Sequence, residues 1–493
     1  MLCAEQERGL AVQTAELKQG LRKGAGRGNI THRLQGRTDR VLCRGSASVK
    51  CGAVRRLASR GRGGGDLKGR SHTPAARPLC FYFHTGGQRH YKEKQGREQV
   101  LRIKASNNDQ ISQLQALQSL THLQLDFWRE PSSTNIPVDV RVPFESLQSV
   151  KVYLESNNIE YSVMIEDLQE VINAEKQEME HNERKERNSG AFNYGAYHTL
   201  DNLYKAIDLI LLDYKSLISR QQIGTSYEGR PIYVLKFSTG ANRPAIWVDA
   251  GIHSREWVTQ ATALWTAHKL ASDYGKDASV TSLLNSYDLF LLIVTNPDGY
   301  AFSHSSDRMW RKTRAINSGS RCVGVDPNRN WDAGFGGPGA SADPCSDSYR
   351  GPRAESEVEV KAIANFIRGH GKIKGFVSIH SYSQYILFPY GYKCTNPAHF
   401  TELNNVGKAA ASALSSLYGT QYTVGTICST IYQASGGSID WTYDIGIKYS
   451  FAFELRDTGR SGFLLPATQI LPTAQETWLG LKKILEHIRD NPY

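Results

Sequence analysis

Asp249-Ala250-Gly251-Ile252-His253-Ser254-Arg255-Glu256-Trp257 is the stretch whose reading decides the fold. The apolar run Ala245-Ile246-Trp247-Val248 leads into it and reads as a buried strand. Val258, Ala261 and Trp265 follow at helix spacing. Between strand and helix a histidine and a glutamate stand three residues apart, close enough in a tight turn for both side chains to converge on one point. An imidazole and a carboxylate converging there suit Zn²⁺, and a catalytic zinc then needs a third protein ligand and an open position.

The spacing alone is a weak signal. It recurs in His399-Phe400-Thr401-Glu402, whose flanks, Thr395-Asn396-Pro397-Ala398 and Leu403 onward, read as a loop entering a surface helix with no charged constellation around it. The first pair is distinguished by its company. After Asn188 the pattern is long α/β, with strands at Ile232 to Phe237, Ala245 to Asp249, Leu289 to Thr295, Gly375 to His380 and Tyr449 to Glu454. Helices intervene, which predicts a mixed, mostly parallel sheet flanked by helices. Ligands of such sheets gather at the carboxyl ends of strands. His380 stands at such an end, in Gly375-Phe376-Val377-Ser378-Ile379-His380-Ser381-Tyr382; alone it reads as a core histidine, and with His253 and Glu256 it completes a two-His, one-carboxylate site. Strand alternation puts Phe451 and Phe453 on one face and Ala452 with Glu454 on the other. A buried Glu454 needs a partner or a task. It is either ion-paired with a nearby arginine or a general base toward water that a metal acidifies. Arg311 and the run Asn328-Arg329-Asn330-Trp331 supply planar forks and amides of the kind that hold carboxylates.

Upstream, about 99 to 165, the order strand, helix, strand, strand, helix, strand fits a small ferredoxin-like α/β sandwich. The strands are Val100–Ile103, Leu123–Trp128, Val138–Val142 and Tyr161–Ile165. Glu166 to Glu180 reads as an acidic helical connector, followed at Arg184-Lys185-Glu186-Arg187 by a basic, exposed break that is either a site for a trypsin-like protease or an ordinary charged linker.

The chain has 493 residues and a net charge of +11. Residues 1–80 hold 17 Lys and Arg against 5 Asp and Glu, and the remainder 42 against 43. The charge therefore belongs to the Arg/Gly/Ser-rich front and gives the rest no nucleic-acid character. That front cannot bury enough apolar surface to offset chain entropy, so residues 1–95 are expected to be a basic, disordered tail or a spurious extension. No stretch approaches membrane-spanning length, and Met1 to Gly20 has no continuous apolar core of a signal peptide. Eight cysteines, four in front and then Cys322, Cys345, Cys394 and Cys428, form no Cys-Xaa-Xaa-Cys motif and favour disulfides in an oxidising compartment.

From about Gln99 to Tyr493 the chain resembles a pancreatic-type zinc procarboxypeptidase of the A subfamily. The matching motifs are Gly251-Ile252-His253-Ser254-Arg255-Glu256-Trp257, Thr295-Asn296-Pro297-Asp298-Gly299-Tyr300, Val325-Asp326-Pro327-Asn328-Arg329-Asn330-Trp331 and Ile431-Tyr432-Gln433-Ala434-Ser435-Gly436-Gly437. The resemblance implies one zinc held by His253, Glu256 and His380. It makes Glu454 the general base and Arg311 the group that polarises the scissile carbonyl. Asn328, Arg329 and Tyr432 would hold the substrate's terminal carboxylate, and Arg255 and Tyr382 would line neighbouring subsites. Ile439 would form the base of a pocket for the terminal side chain, with Ala452 beside it, and Asp326 would orient His253 from behind. It pairs Cys322 with Cys345, and Cys394 with Cys428, the second pair occurring in only some members. It also implies an inhibitory prodomain over 96–187, cleavage after Arg187 and a catalytic domain over 188–493. The partners expected are peptide and protein C-termini and an activating trypsin-like protease, with no nucleic acid and no membrane, for a secreted monomer. Residues 1–80 match nothing in the family, and a catalytically inactive, peptide-binding relative is the alternative.

Overall fold

A computed structural model describes residues 97–493. The expected front extension, with Cys3, Cys43, Cys51 and Cys80, lies outside the described residues. The first part carries the predicted element order. Strands β1 (Gln99–Lys104), β2 (Asp126–Arg129), β3 (Val138–Val142) and β4 (Glu160–Ile165) form an antiparallel sheet in the order β2-β3-β1-β4. Helices α1 (Asn108–Gln118) and α2 (Phe144–Ser156) close it, and Leu101, Ile103, Leu114, Val140, Val150 and Leu154 fill the core between. The strand expected from Leu123 begins only at Asp126, because Thr121–Leu123 is a 3₁₀ turn closed by Gln124 in the left-handed region.

The connector differs from expectation. Helix α3 runs unbroken from Leu168 to Ser189, so the basic run Arg184-Lys185-Glu186-Arg187 is its last turns rather than a break. Asp167 caps its first turn, and Gly190, at φ 69°, ends it with the left-handed residue that glycine adopts without steric cost. Charged residues at helix spacing carry the helix through, with Glu183 paired to Arg187 one turn on. Glu186 accepts from Asn193 N at 2.8 Å and meets buried His198 Nε2 at 2.8 Å, which ties the helix end to the following domain.

Beyond it an eight-stranded sheet has the order β11-β10-β12-β9-β7-β8-β6-β5. Its strands are β5 (Ile218–Thr225), β6 (Pro231–Phe237), β7 (Ala245–Ala250), β8 (Asp288–Leu292), β9 (Ile373–Ser381), β10 (Tyr385–Phe388), β11 (Thr423–Thr426) and β12 (Tyr449–Leu455). The central strands β12, β9, β7 and β8 run parallel, and the edges add antiparallel pairs. One face buries Ile246, Val248, Phe451 and Phe453 under α4 (Leu200–Asp213), α5 (Trp257–Asp273), α7 (Phe400–Tyr418) and α9 (Ile470–Asp490). The other buries Trp247, Phe376 and Ala452 under α6 (Val358–His370) and α8 (Ser438–Asp444). Among the described residues no helix is long and apolar enough to cross a membrane.

Candidate active site

Three parallel strands deliver the site from their carboxyl ends. β7 leads into the turn that carries His253, and Glu256 is the residue just before α5, with φ −86° and ψ 56°. β9 ends with His380, and β12 carries Glu454 opposite it in register. His253 Nδ1 lies 2.7 Å from Glu256 Oε1, and His380 Nδ1 lies 3.5 Å from Glu256 Oε2. The ligand atoms of His253, Glu256 and His380 all lie within 4.8 Å of one another, and among the described residues they form the one such group. The decoy pair goes elsewhere: His399 bonds Tyr443, while Glu402 meets Lys448, Tyr449 and His487.

The donor set fits zinc. Two imidazole nitrogens and one carboxylate, all buried, meet on one side of Glu256. Behind His253, Nε2 lies 3.1 Å from Asp326 Oδ1, an arrangement that leaves Nδ1 free for a metal. Asp326 also accepts from Arg311 Nη2 at 2.9 Å. Burial alone would raise the Glu256 and Asp326 carboxyls, but His253 beside both and Arg311 beside Asp326 hold them below their ordinary values. Burial, with Arg311, depresses His253 and keeps the imidazole neutral, as a ligand must be. Glu454 shows the opposite shift: burial, with the neighbouring Glu256 carboxylate, pushes it up to about 8, a charge environment that a bound cation reverses.

A cleft opens from this centre. It is lined by Arg311, Asn328, Arg329, Tyr432, Leu387, Ile427, Ile431, Ile439, Ala452 and Glu454. Arg329 Nη2 donates to Tyr432 Oη at 3.0 Å, and Asn328 Oδ1 accepts from Ser438 N at 2.9 Å. Asp440, beside Ile439, is turned away, accepting from the Gly391 and Tyr392 amides at 2.8 and 2.9 Å. Gly391 is absent from the lining but adjoins it, its carbonyl accepting from Ala434 N at 3.0 Å. Cys322 is bonded to Cys345 and Cys394 to Cys428, the second beside Ile427.

The first domain closes the other side of the cleft, with Trp128, Arg129 and Glu130 among the lining. Arg255, 1% exposed, donates to both carboxylate oxygens of Asp126 at 2.9 and 3.0 Å. Tyr382 donates to Asp139 at 2.6 Å, and Arg102 holds the same carboxylate with two bonds of 2.7 Å. Arg308 is forked onto Glu175 of α3. Sequence reasoning did not single out Asp126, Asp139, Glu175 or Glu130. Each is an ordinary acidic residue in its local stretch; the long-range fold brings Asp126, Asp139 and Glu175 to an arginine or tyrosine, while Glu130 accepts from Gln118 of its own domain.

The Zinc carboxypeptidase family matches residues 203–480, and the Carboxypeptidase activation peptide family matches residues 101–175. The chain is 63% identical over 396 residues to Carboxypeptidase A2 of Rattus norvegicus, covering 80% of this chain and 95% of that protein. It is 60% identical over 396 residues to Carboxypeptidase A1 of Bos taurus, covering 80% and 94%. Among solved structures it resembles thrombin activatable fibrinolysis inhibitor, with a TM-score of 0.73 and 37% identity over 80% of this chain and all of that one. It also resembles carboxypeptidase A from Helicoverpa armigera, with a TM-score of 0.74 and 27% identity over 81% of this chain and 99% of that one. With an activation peptide packed over a sheet whose strand ends carry the two-His, one-Glu cluster, the chain belongs to the zinc carboxypeptidase family, as a procarboxypeptidase A.

Proposed function

We propose that cleavage after Arg187 frees residues 188–493 from a prodomain spanning 96–187, and that the freed enzyme releases single large apolar or aromatic residues from peptide and protein C-termini. The activity class is that of the family, a zinc metallocarboxypeptidase made as a zymogen. The presence of the ligand cluster, Glu454 and Arg311 in one cleft leaves the inactive-relative reading without support. The activating enzyme is of trypsin type, given the Arg/Lys content of the last α3 turns. Two disulfides in the catalytic part support a secreted protein, and we take it to act as a monomer.

His253, Glu256 and His380 hold the zinc, which supplies a Lewis acid that polarises the scissile carbonyl and lets water lose a proton near neutral pH. Glu454 takes that proton and passes it to the leaving amine. Its place on β12, in register with His380 and lining the cleft beside the ligand cluster, suits it to both halves of the transfer. Arg311 donates to the carbonyl oxygen as negative charge develops there, held in place by Asp326. Arg329, Asn328 and Tyr432 receive the terminal carboxylate, which confines the reaction to chain ends. Arg255 and Tyr382 bind the residues upstream once Asp126 and Asp139 have left.

The observation that carries the specificity is the apolar pocket of Leu387, Ile427, Ile431, Ile439 and Ala452, in which no carboxylate faces a basic side chain. Burying a terminal Lys or Arg there leaves its charge unpaired. Alanine at 452 leaves room for large rings. The test is kcat/KM of the activated enzyme on one peptide ending in Phe, Leu or Arg. Phe should lead, Leu should follow by about 10-fold or more, and Arg should trail both. Faster release of Arg than of Phe contradicts the pocket assignment.

A further inference from the structure

The metal-facing nitrogen of His380 is backed by a chain of buried groups that runs away from the site. His380 Nε2 lies 3.1 Å from Ser378 Oγ. Ser378 donates to Asp249 Oδ1 at 2.6 Å, and Asp249 Oδ2 accepts from Trp247 Nε1 at 2.8 Å. Trp247, Asp249 and Ser378 are all buried, and Asp249 on β7 pairs in register with Ser378 on β9. Burial pushes the Asp249 carboxyl up to about 6, so above that pH it is ionised and can only accept.

Proton counting then fixes the histidine. A serine hydroxyl has one proton, and here it goes to Asp249. Ser378 therefore has only lone pairs to offer His380, so Nε2 must be an N–H, which in the neutral ring that a metal requires leaves Nδ1 the lone pair. His253 reaches the same state through direct contact with Asp326. We infer that Asp249, acting through the Ser378 hydroxyl, is a positioning residue for zinc binding that holds His380 in its Nε2–H form with Nδ1 turned to the metal. Each ligand histidine then has its own buried carboxylate, one direct and one relayed. Trp247 keeps the Asp249 carboxylate from rotating out of line. The competing reading is a core carboxylate satisfied by two donors and without influence on the ring. The inference rests on His380 being a zinc ligand, and the test separates the two.

The full chain is loaded with zinc, and the metal's dissociation constant is measured by chelator competition for the unmodified protein, Ser378→Ala, Asp249→Asn and His380→Gln. The His380 Nε2–H resonance is read in parallel on ¹⁵N-histidine-labelled protein, assigned by its loss in His380→Gln. Ser378→Ala and Asp249→Asn should each weaken zinc binding by about 10- to 100-fold, the usual cost of losing such a supporting partner. In the unmodified protein the Nε2–H signal should be downfield and slow to exchange, and it should move upfield in both variants, Asp249→Asn included although Asp249 never touches the ring. Zinc affinity equal to that of the unmodified protein in Ser378→Ala, with a loss in His380→Gln, overturns the relay alone. Unchanged affinity in His380→Gln overturns the ligand assignment on which it stands. Should Asp249→Asn not fold, Ser378→Ala decides: an Nε2–H signal unmoved by loss of the hydroxyl contradicts the inference.

Discussion

Glu454 shows how one side chain is placed for a task and what it costs to remove it. Its strand position was legible from alternation alone, since Phe451 and Phe453 pack into one core while Ala452 and Glu454 face the cleft. The nature of its company was not, because Arg311 and Glu256 reach it from separate loops. Glu454→Gln keeps the size and one acceptor but cannot carry a proton, so kcat should fall by at least about 10²–10⁴-fold while zinc content stays at one per chain. Metal analysis beside steady-state kinetics on the activated enzyme checks this, and a near-normal kcat removes Glu454 from its role. Ile439 was legible only by resemblance, as an isoleucine next to an aspartate carries no local signal of a pocket base. Ile439→Asp should place a carboxylate where a basic terminal side chain ends, moving the preference from Phe toward Arg and Lys. An unchanged Phe preference in a folded variant would mean that another residue forms the base.

At the scale of elements, α3 carries the difference between sequence and structure that matters most for activation. The basic run reads as a break because Arg and Lys cluster there, yet Lys and Arg are good helix formers and the true stop is Gly190. Arg187 is exposed, but a protease needs extended backbone at its cut, so the last turn of α3 must open first. Glu186 resists that opening through Asn193 N and His198. Gly190→Ala puts a Cβ on a residue at φ 69° with free space around it, so the cost is backbone strain of about 1–2 kcal/mol. If opening is limiting, trypsin should cut the variant after Arg187 faster, by roughly 5- to 30-fold, giving Asn188 as the new N-terminus. Time courses on gels with N-terminal sequencing measure it, and a rate no faster than that of the unmodified chain contradicts opening as the limiting step. The two sheets themselves were read correctly in kind from hydrophobic periodicity. The edge strands β5 and β11 were not, since their mixed polarity carries little period, and neither was β10, whose four apolar residues are too few to show one.

The described residues form a cap held on a cleft by an apolar seam, Trp128 and Ile165 against Met309, Tyr382 and Phe463, and by carboxylates around it. Asp126 on Arg255, Asp139 on Tyr382 and Glu175 on Arg308 all join activation-peptide carboxylates to groups beside the active site. None of these pairings is legible in the sequence, because each links residues more than a hundred positions apart. Asp126→Asn removes the nearer of the two carboxylates on buried Arg255, at 2.9 Å against 3.5 Å for Asp347, and with it the one that belongs to the cap. The uncut variant should therefore hydrolyse peptides faster than the uncut parent, while the two should be indistinguishable after trypsin, which removes residue 126. Equal activity of the uncut proteins would show that this pair does not hold the cap. The central claim, a latent zinc exopeptidase, is tested most directly by following free phenylalanine release from a peptide ending in Phe and from its C-terminal amide, before and after trypsin. The account predicts little release by the uncut chain, rapid release from the free acid after cleavage, loss of that release when a chelator strips the zinc, and none from the amide, which gives Arg329 no carboxylate. Comparable hydrolysis of the amide, or no release from the free acid by the cleaved, zinc-loaded enzyme, would contradict it.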